Sequence, residues 1–379
     1  MVAACPFPNP RGTPIRIAQM ATALAARGHE VDVVTYHLGD AVDDLPFRVH
    51  RTREMRSYRK TSPGPSYRKL FLLDPLLALK LRELLSQRRF DVVHAHHYEG
   101  MLVARVARTR GSPPTVFDLH TLLESELPYY GMGMPKAMKR RLGRSLDRRL
   151  PRYADHLVAV TDDIRDRLLA QGAFGVDRVS VIPNGVEYDL FHRDAASAPL
   201  LGTPKTVIFT GNLAPYQGVD LLLEAFQVLR DLRRDVRLLL VTEDSFEPYE
   251  GRAAELGVRE FIDVRAVGFH AIPDLLAGAD VAVNPRVECD GIPQKLLNYM
   301  AAGKPIVSFA GSAKHLVDGR LGLVVPDRDT ASFAQAIDRL LEDPALADRL
   351  GAAAGAFVLA TLSWDATASR VEAVYEGLL

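Results

Sequence analysis

The stretch Ala279–Phe309, ADVAVNPRVECDGIPQKLLNYMAAGKPIVSF, reads as strand, loop, helix and strand. DVAVNP (280–285) and PIVSFA (305–310) are short β-branched runs of the type found in strands buried on both faces, and Pro293 stands at the first turn of a helical pattern that runs to about 302. The polar loop between them holds Arg286, Glu288, Asp290 and Gly291. There the Gly291 and Ile292 amides can face an anion, with Arg286 and Lys295 supplying charge. The acidic members of the loop point to a ligand that offers hydroxyls as well as phosphate. A solvated crossover loop is the plainer reading of the same residues.

The alternation extends in both directions. Strands are expected at 31–36, 91–96, 114–119, 156–161 and 179–184, and again at 206–211, 236–242, 264–269, 280–285, 305–310 and 322–326. Helices are expected at about 13–28, 75–87, 98–110, 138–150, 162–171, 218–231, 271–278, 293–302, 312–318 and 330–342, with a last one around Trp364. Short strands alternating with longer helices predict parallel sheets covered by helices. At 379 residues the chain has room for two such α/β domains. The charge agrees: residues 1–185 carry 29 Lys+Arg against 19 Asp+Glu, and residues 186–379 carry 18 against 28, so the halves are +10 and −10. The expected division is 1–188, 200–360, and a terminal segment 361–379. Ligands of such sheets bind beyond the strand C-termini, so an interdomain cleft is the default site.

Other classes are excluded by composition. Cys5 and Cys289 are the only cysteines, too few for a disulfide scaffold or a cysteine-rich metal site. No apolar run approaches the roughly 20 residues of a membrane span, so a cytoplasmic protein is expected, peripheral on the membrane if it meets one at all. HAHH (94–97) alternates along a strand, which sends its side chains to opposite faces, and H-E-x-x-H is missing, so metal binding is disfavoured. His120 is different. It follows the buried-type strand PTVFDL beside Asp118 and Glu124, where a neutral imidazole can hydrogen-bond a sugar hydroxyl or leaving-group oxygen, although a structural role weighs as much. Near the N-terminus, Asn9 and Gly12 precede a helix starting near Thr13, whose free amides could hold a phosphate oxygen, although taken alone the segment reads first as an ordinary capped loop.

KAMKRRLGRSLDRRLPR (136–152) has eight basic residues and one acid, with Met138, Leu142, Leu146 and Leu150 at steps of four. On a helix this is an apolar stripe flanked by Lys139, Arg140, Arg141, Arg148 and Arg149, the pattern of a helix lying on an anionic membrane. The alternative is that the leucines pack on their own domain. No recognition module accompanies the charge, which excludes nucleic acid.

RGHEVDVVTYH (27–37), DVVHAHH (91–97), ADHLVAVTDDIRDRL (154–168), VSVIPNGVEYDLF (179–191), TGNLAPYQGVDLLLEAF (210–226), KLLNYMAAGKPIVSF (295–309) and GLVVPDRD (322–329), in this order and spacing, resemble the GT-B-fold retaining nucleotide-sugar glycosyltransferases of glycosyltransferase family 4. The resemblance implies two Rossmann-like domains facing a cleft, acceptor on the first and nucleotide diphosphate sugar on the second, with the last helix crossing back to the first. It also implies donor phosphates near Arg11, Gly12 and Thr13, and His120 beside the transferred sugar. The base and ribose would lie near Gly268, Phe269 and Asn298.

Two departures stand out. Where the family has an arginine and then a lysine for the diphosphate, this chain has Asn212 and Gln217, after Gly211; where it has two glutamates separated by seven residues, this chain has Asp290 and Asn298. Lys295 and Arg286 are the nearest cations that could compensate. The resemblance therefore implies a divergent but active hexosyltransferase, using a UDP-sugar in preference to a GDP-sugar, without a prosthetic group and without need of a metal. The expected acceptor is a hydroxyl, either lipid-linked or at a membrane surface, as the basic stripe suggests, or on a soluble molecule. The competing readings are a nucleotide-sugar binding or regulatory protein that has lost transfer, and a nucleotide-sugar epimerase.

Overall fold

The computed structural model describes residues 1–8, 12–39, 44–55, 58–59, 68–130, 134–172, 174–192, 204–289 and 292–379. They form two units, Met1–Gly185 with Trp364–Leu379, and Val186–Ser363.

The first unit is built on a seven-stranded sheet of β1 (Val2–Ala3), β2 (Asp32–Thr35), β3 (Arg48–Arg51), β4 (Val93–His96), β5 (Thr115–Leu119), β6 (His156–Ala159) and β7 (Val179–Val181). Its order is β3-β2-β1-β4-β5-β6-β7, and every pairing is parallel. The second unit has β8 (Lys205–Thr210), β9 (Val236–Val241), β10 (Ile262–Arg265), β11 (Val281–Asn284), β12 (Ile306–Phe309) and β13 (Leu323–Val325), parallel in the order β10-β9-β8-β11-β12-β13. Strand order reverses beside β1 in one sheet and beside β8 in the other. Loops leaving the strands there diverge to opposite faces and open a crevice. Each unit is thus the doubly wound α/β domain the alternation predicts. All four residues of β2, β4 and β11 are buried, as expected of strands with helices on both faces.

The last helix, Trp364–Glu376, belongs to the first unit. Ala368 and Val371 enter the same core cluster as Ile17, Met20 and Leu24 of the helix Gly12–Ala26, and Arg27 donates to Glu372 Oε2 from Nε at 2.9 Å and from Nη2 at 2.6 Å.

Several expected elements differ. The central strand β1 is absent from the sequence reading because two residues carry no period of their own, and the edge strand β3, RVHR, because it is polar. The strand expected at 264–269 lies at Ile262–Arg265, since the chain then turns into a 3-10 segment at Phe269–Ala271. The helix expected at 312–318 is one turn, Ala310–Ala313, ended by Lys314 at φ 51°. Two longer helices were unexpected, Glu247–Glu255 and Pro344–Thr361, as were the single turns Leu123–Glu126 and Tyr188–Phe191. The second of the longer helices has a legible start: the Asp343 carboxylate accepts from Leu346 N, with Pro344 in the first turn.

Candidate functional site

In the second unit the loops that leave β8 and β11, neighbours in the sheet, bring several candidate residues together. The helix Gln294–Ala301 is tied to the end of β8 by the buried Tyr299 hydroxyl, which accepts from Thr210 N at 2.7 Å and from Thr210 Oγ1 at 3.1 Å. One turn earlier on that helix, Lys295 Nζ donates to Gln217 Oε1 at 2.8 Å and lies 3.7 Å from the Phe209 ring centroid. A side chain at Gly211 would begin 3.3 Å from the same nitrogen. Gln217, itself buried, donates from Nε2 to Asn212 Oδ1 at 3.2 Å. Asn212 Nδ2 in turn donates to the Tyr216 hydroxyl at 3.1 Å, and the Arg286 guanidinium lies over the Tyr216 ring, 4.8 Å from its centroid.

The loop after β11 is held to this arrangement through its backbone. Asn284 Nδ2 donates to Ser308 Oγ at 2.9 Å and to Ser312 Oγ at 2.8 Å, and Ser312 Oγ donates to the Arg286 carbonyl. Gly218 takes φ 71°, and a Cβ there would stand 2.1 Å from the Pro285 carbonyl oxygen, so only glycine fits. The result is a partly buried ammonium beside a second cation, with no carboxylate among its described contacts. Burial first, and then the positive Arg286, push Lys295 well below the ordinary lysine range, against the pull of Cys289. Such a group gains most from an anion.

Other candidates of this unit are placed separately. Gly268 and Phe269 are exposed, and the Phe269 ring stands nearly perpendicular to the buried Phe191 at 5.7 Å and to His270 at 5.9 Å. Asn298 is buried and accepts from Gln294 Nε2 at 3.4 Å. Ile292 packs against the core. Asp290 and Gly291 lie outside the described residues, as does Arg11.

In the first unit Gly12 opens the helix Gly12–Ala26, and Thr13 Oγ1 pairs with His120 Nδ1 at 3.0 Å. His120 follows β5 and is nearly buried. Burial lowers its pKa to about 4 despite the nearby Asp118 carboxylate, so the ring is neutral at pH 7. Asp118, fully buried, receives Arg16 Nε at 2.9 Å and Nη2 at 3.1 Å. Burial alone would raise the Asp118 pKa, but Arg16 and the surrounding imidazoles hold it well below the usual carboxylate range.

The expectation that HAHH scatters its side chains is corrected here. Residues two apart share a face, so His94 and His96 stack at 4.4 Å and approach Asp118 Oδ2 to 3.4 and 3.3 Å, while His97 begins the helix His97–Ala107. Ligand atoms of His94, His96 and Asp118 lie within 4.8 Å of one another, a set able to ligate a divalent cation. Any such ion would share the carboxylate with Arg16, whose N–H groups already reach both oxygens. Arg16 and the His94 pairing with the Tyr375 hydroxyl (2.5 Å) went unnoticed in the sequence; the charged Asp118 inside an apolar strand was the available signal.

The basic helix Lys136–Arg149 turns its Lys139, Gly143 and Asp147 edge inward. A Cβ at Gly143 would lie 2.5 Å from the Leu123 and Glu124 backbone, and Asp147 accepts from Leu123 N at 2.9 Å and Glu124 N at 3.0 Å. Met138, Arg140, Arg141, Leu142, Arg148 and Arg149 are exposed. Half of the expected stripe and one flanking cation are not: Leu146 and Leu150 pack against the core, and Lys139 is buried with Nζ on the Tyr130 carbonyl. Among the described residues no helix is long and apolar enough to cross a membrane.

Comparison with known proteins places this geometry in a family. Residues 10–190 match the family model described as Glycosyltransferase Family 4, and residues 204–343 the one described as Glycosyl transferases group 1. The Phosphatidyl-myo-inositol mannosyltransferase of Mycobacterium leprae is 30% identical over 98% of this chain and 95% of that protein. The D-inositol 3-phosphate glycosyltransferase of Streptomyces avermitilis is 29% identical over 76% of this chain, a match that spans 65% of the relative's length, just under two thirds. Among solved structures, Anabaena Alr3699/HepE in complex with UDP and glucose superposes with a TM-score of 0.70 at 17% identity, over 100% of this chain and 98% of that one, which is a likeness of fold. With both halves of the chain matched in order and a relative aligned almost end to end, the chain belongs to the family-4/group-1 glycosyltransferases of GT-B fold.

Proposed function

We propose that the chain is a retaining hexosyltransferase that uses a nucleotide diphosphate sugar, UDP-linked in preference to GDP-linked, and a hydroxyl acceptor presented at a membrane surface. The observation that carries this reading is the Lys295 ammonium, lodged among Gln217, Gly211 and the Phe209 ring at the C-terminal edge of β8. The diphosphate would bind there, with Arg286 as the second cation and Phe269 stacking the base. As the bond from anomeric carbon to diphosphate breaks, the sugar gains oxocarbenium character and the departing phosphate gains charge; Lys295 and Arg286 favour that state. The acceptor oxygen bonds to carbon on the face the phosphate leaves, and the acceptor proton passes to a phosphate oxygen. Asp290 orients sugar hydroxyls, and the neutral His120 imidazole meets the reacting sugar through Nδ1, the nitrogen that Thr13 Oγ1 reaches, because its buried Nε2 is turned toward Asp118 Oδ1 at 3.6 Å.

UDP as the carrier is supported by the complex of HepE with UDP and glucose. A polyol acceptor on a lipid is supported by the relatives named as D-inositol 3-phosphate glycosyltransferase and Phosphatidyl-myo-inositol mannosyltransferase. The exposed Met138 and Leu142 among Arg140, Arg141, Arg148 and Arg149 suit an anionic interface on which the acceptor would lie.

Calorimetry with UDP and GDP tests the donor site: Lys295→Ala weakens nucleotide diphosphate binding, and equal affinity in both proteins removes Lys295 from the phosphate site. Proton NMR of the product tests the reaction, with the α-configuration of the donor kept in the new linkage. An inverted product refutes the retaining assignment.

A further inference from the structure

We infer that Asn212, Tyr216 and Gln217 form an uncharged scaffold that positions two cations beyond β11, Arg286 in the loop and Lys295 on the helix that follows it, so that the charge for the diphosphate is delivered from the β11 side and not from the loop after β8. The inference rests on the reading that Lys295 meets the diphosphate, and adds which residues place it there.

Asn212 is the branch point. Its Oδ1 accepts from Gln217 Nε2 at 3.2 Å, and Gln217 spends its own Oε1 on Lys295 Nζ at 2.8 Å. Its Nδ2 donates to the Tyr216 hydroxyl at 3.1 Å, and the Tyr216 ring carries the Arg286 guanidinium. Both polar ends of the buried Gln217 amide are engaged, one by a donor and one by an acceptor, so its orientation is set. The backbones are locked as well, through Gly218 against Pro285 and Ser312 on the Arg286 carbonyl. A lysine at 217 would place a second ammonium where the amide oxygen now accepts from Lys295. Charge at 217 and charge at 295 therefore exclude each other, and a neutral residue at 217 is the condition for Lys295 to occupy its place. Gln217 and Asn212 are positioning residues on this account; Lys295 and Arg286 touch the anion.

The test is UDP affinity of the full chain by calorimetry across pH 6 to 10. Gln217→Ala lowers UDP affinity by about tenfold or more, the worth of one hydrogen bond to a charged group. Gln217→Lys lowers it further, and the exchange variant Gln217→Lys with Lys295→Gln recovers affinity by restoring one ammonium and one amide. Gln217→Glu keeps the native shape and pairs Lys295 with a carboxylate. Among the described residues the charged and titratable neighbours of Lys295 in wild type are Arg286 and Cys289, and UDP binding weakens as pH rises through the lowered Lys295 pKa. The added carboxylate moves that weakening to higher pH and lowers affinity below it. This variant decides the matter should Gln217→Ala unfold. If Lys295→Ala binds UDP as wild type does, the donor-site reading itself fails. If Lys295→Ala weakens binding while Gln217→Ala and Gln217→Glu leave affinity and its pH profile unchanged, the donor site stands and the scaffold is overturned.

Discussion

Replacing Arg16 by methionine removes the guanidinium that, among the described residues, pairs with the buried Asp118. Arg16 is 3% exposed and makes four hydrogen bonds: Nε and Nη2 to the two carboxylate oxygens at 2.9 and 3.1 Å, Nη1 to Asn184 Oδ1 at 2.9 Å, and Nη2 to the Ile182 carbonyl at 3.1 Å. Methionine fills similar space and restores none of them, leaving a fully buried carboxylate among imidazoles. Removing one partner of a buried ion pair costs about 3–5 kcal/mol. In wild type the Asp118 pKa is depressed in the folded state, so its stabilisation is present above the unfolded value near 3.9 and is lost as pH falls through the folded value. In Arg16→Met the sign reverses: folding binds a proton at Asp118 or an adjacent imidazole, and the deficit shrinks on acidification by up to about 1.4 kcal/mol per pH unit. Trp364 is the only tryptophan and belongs to the first unit, so its fluorescence in a urea titration reads that unit's unfolding. The deficit should be larger at pH 8 than at pH 5. A deficit below about 1 kcal/mol, or one equal at both pH values, refutes the assignment of Asp118 as a carboxylate held ionised by Arg16.

Three further outcomes are expected. His120→Gln should lower turnover about 100-fold with donor affinity and the urea midpoint little changed, because the contact is made as charge develops; unchanged turnover assigns the ring to structure. Charge reversal at Arg140, Arg141, Arg148 and Arg149 should abolish co-sedimentation with phosphatidylserine vesicles and spare transfer to a soluble acceptor analogue, and wild-type protein that ignores such vesicles at low salt removes the membrane role. Transfer should survive EDTA, whereas loss of activity restored by a divalent cation would place a metal at His94, His96 and Asp118.

Much of the candidate site was legible because its residue types are conspicuous where they stand. Lys295 follows a proline at a helix start, His120 ends a buried strand, and Asn212 and Gln217 occupy positions where cations were expected. What escaped were pairings between side chains distant in sequence. Gln217 and Lys295 are 78 residues apart, Arg16 and Asp118 102, and His94 and Tyr375 281. The HAHH stretch was misjudged for a local reason: alternation separates neighbours but reunites residues two apart. The basic helix was half legible, since its composition announced an amphipathic surface while only packing decided which edge lies down. Gly143 against Leu123 and the capping Asp147 selected Lys139 for burial and left Met138 and Leu142 outside.

Taken by itself, the amino-acid sequence determined the alternation of strands and helices, the count of two α/β domains and the charge contrast between halves, because periodicity and composition are local properties that no partner need supply. Tertiary structure alone decided that a two-residue segment, Val2–Ala3, is a central strand, since its hydrogen bonds are supplied by β2 and β4 from 32 and 93 residues away. It also decided that two neutral amides at 212 and 217 do not leave the site without charge. An ammonium lodged 2.8 Å from one of them is visible only when the loops after β8 and β11 lie side by side, an adjacency set by strand order.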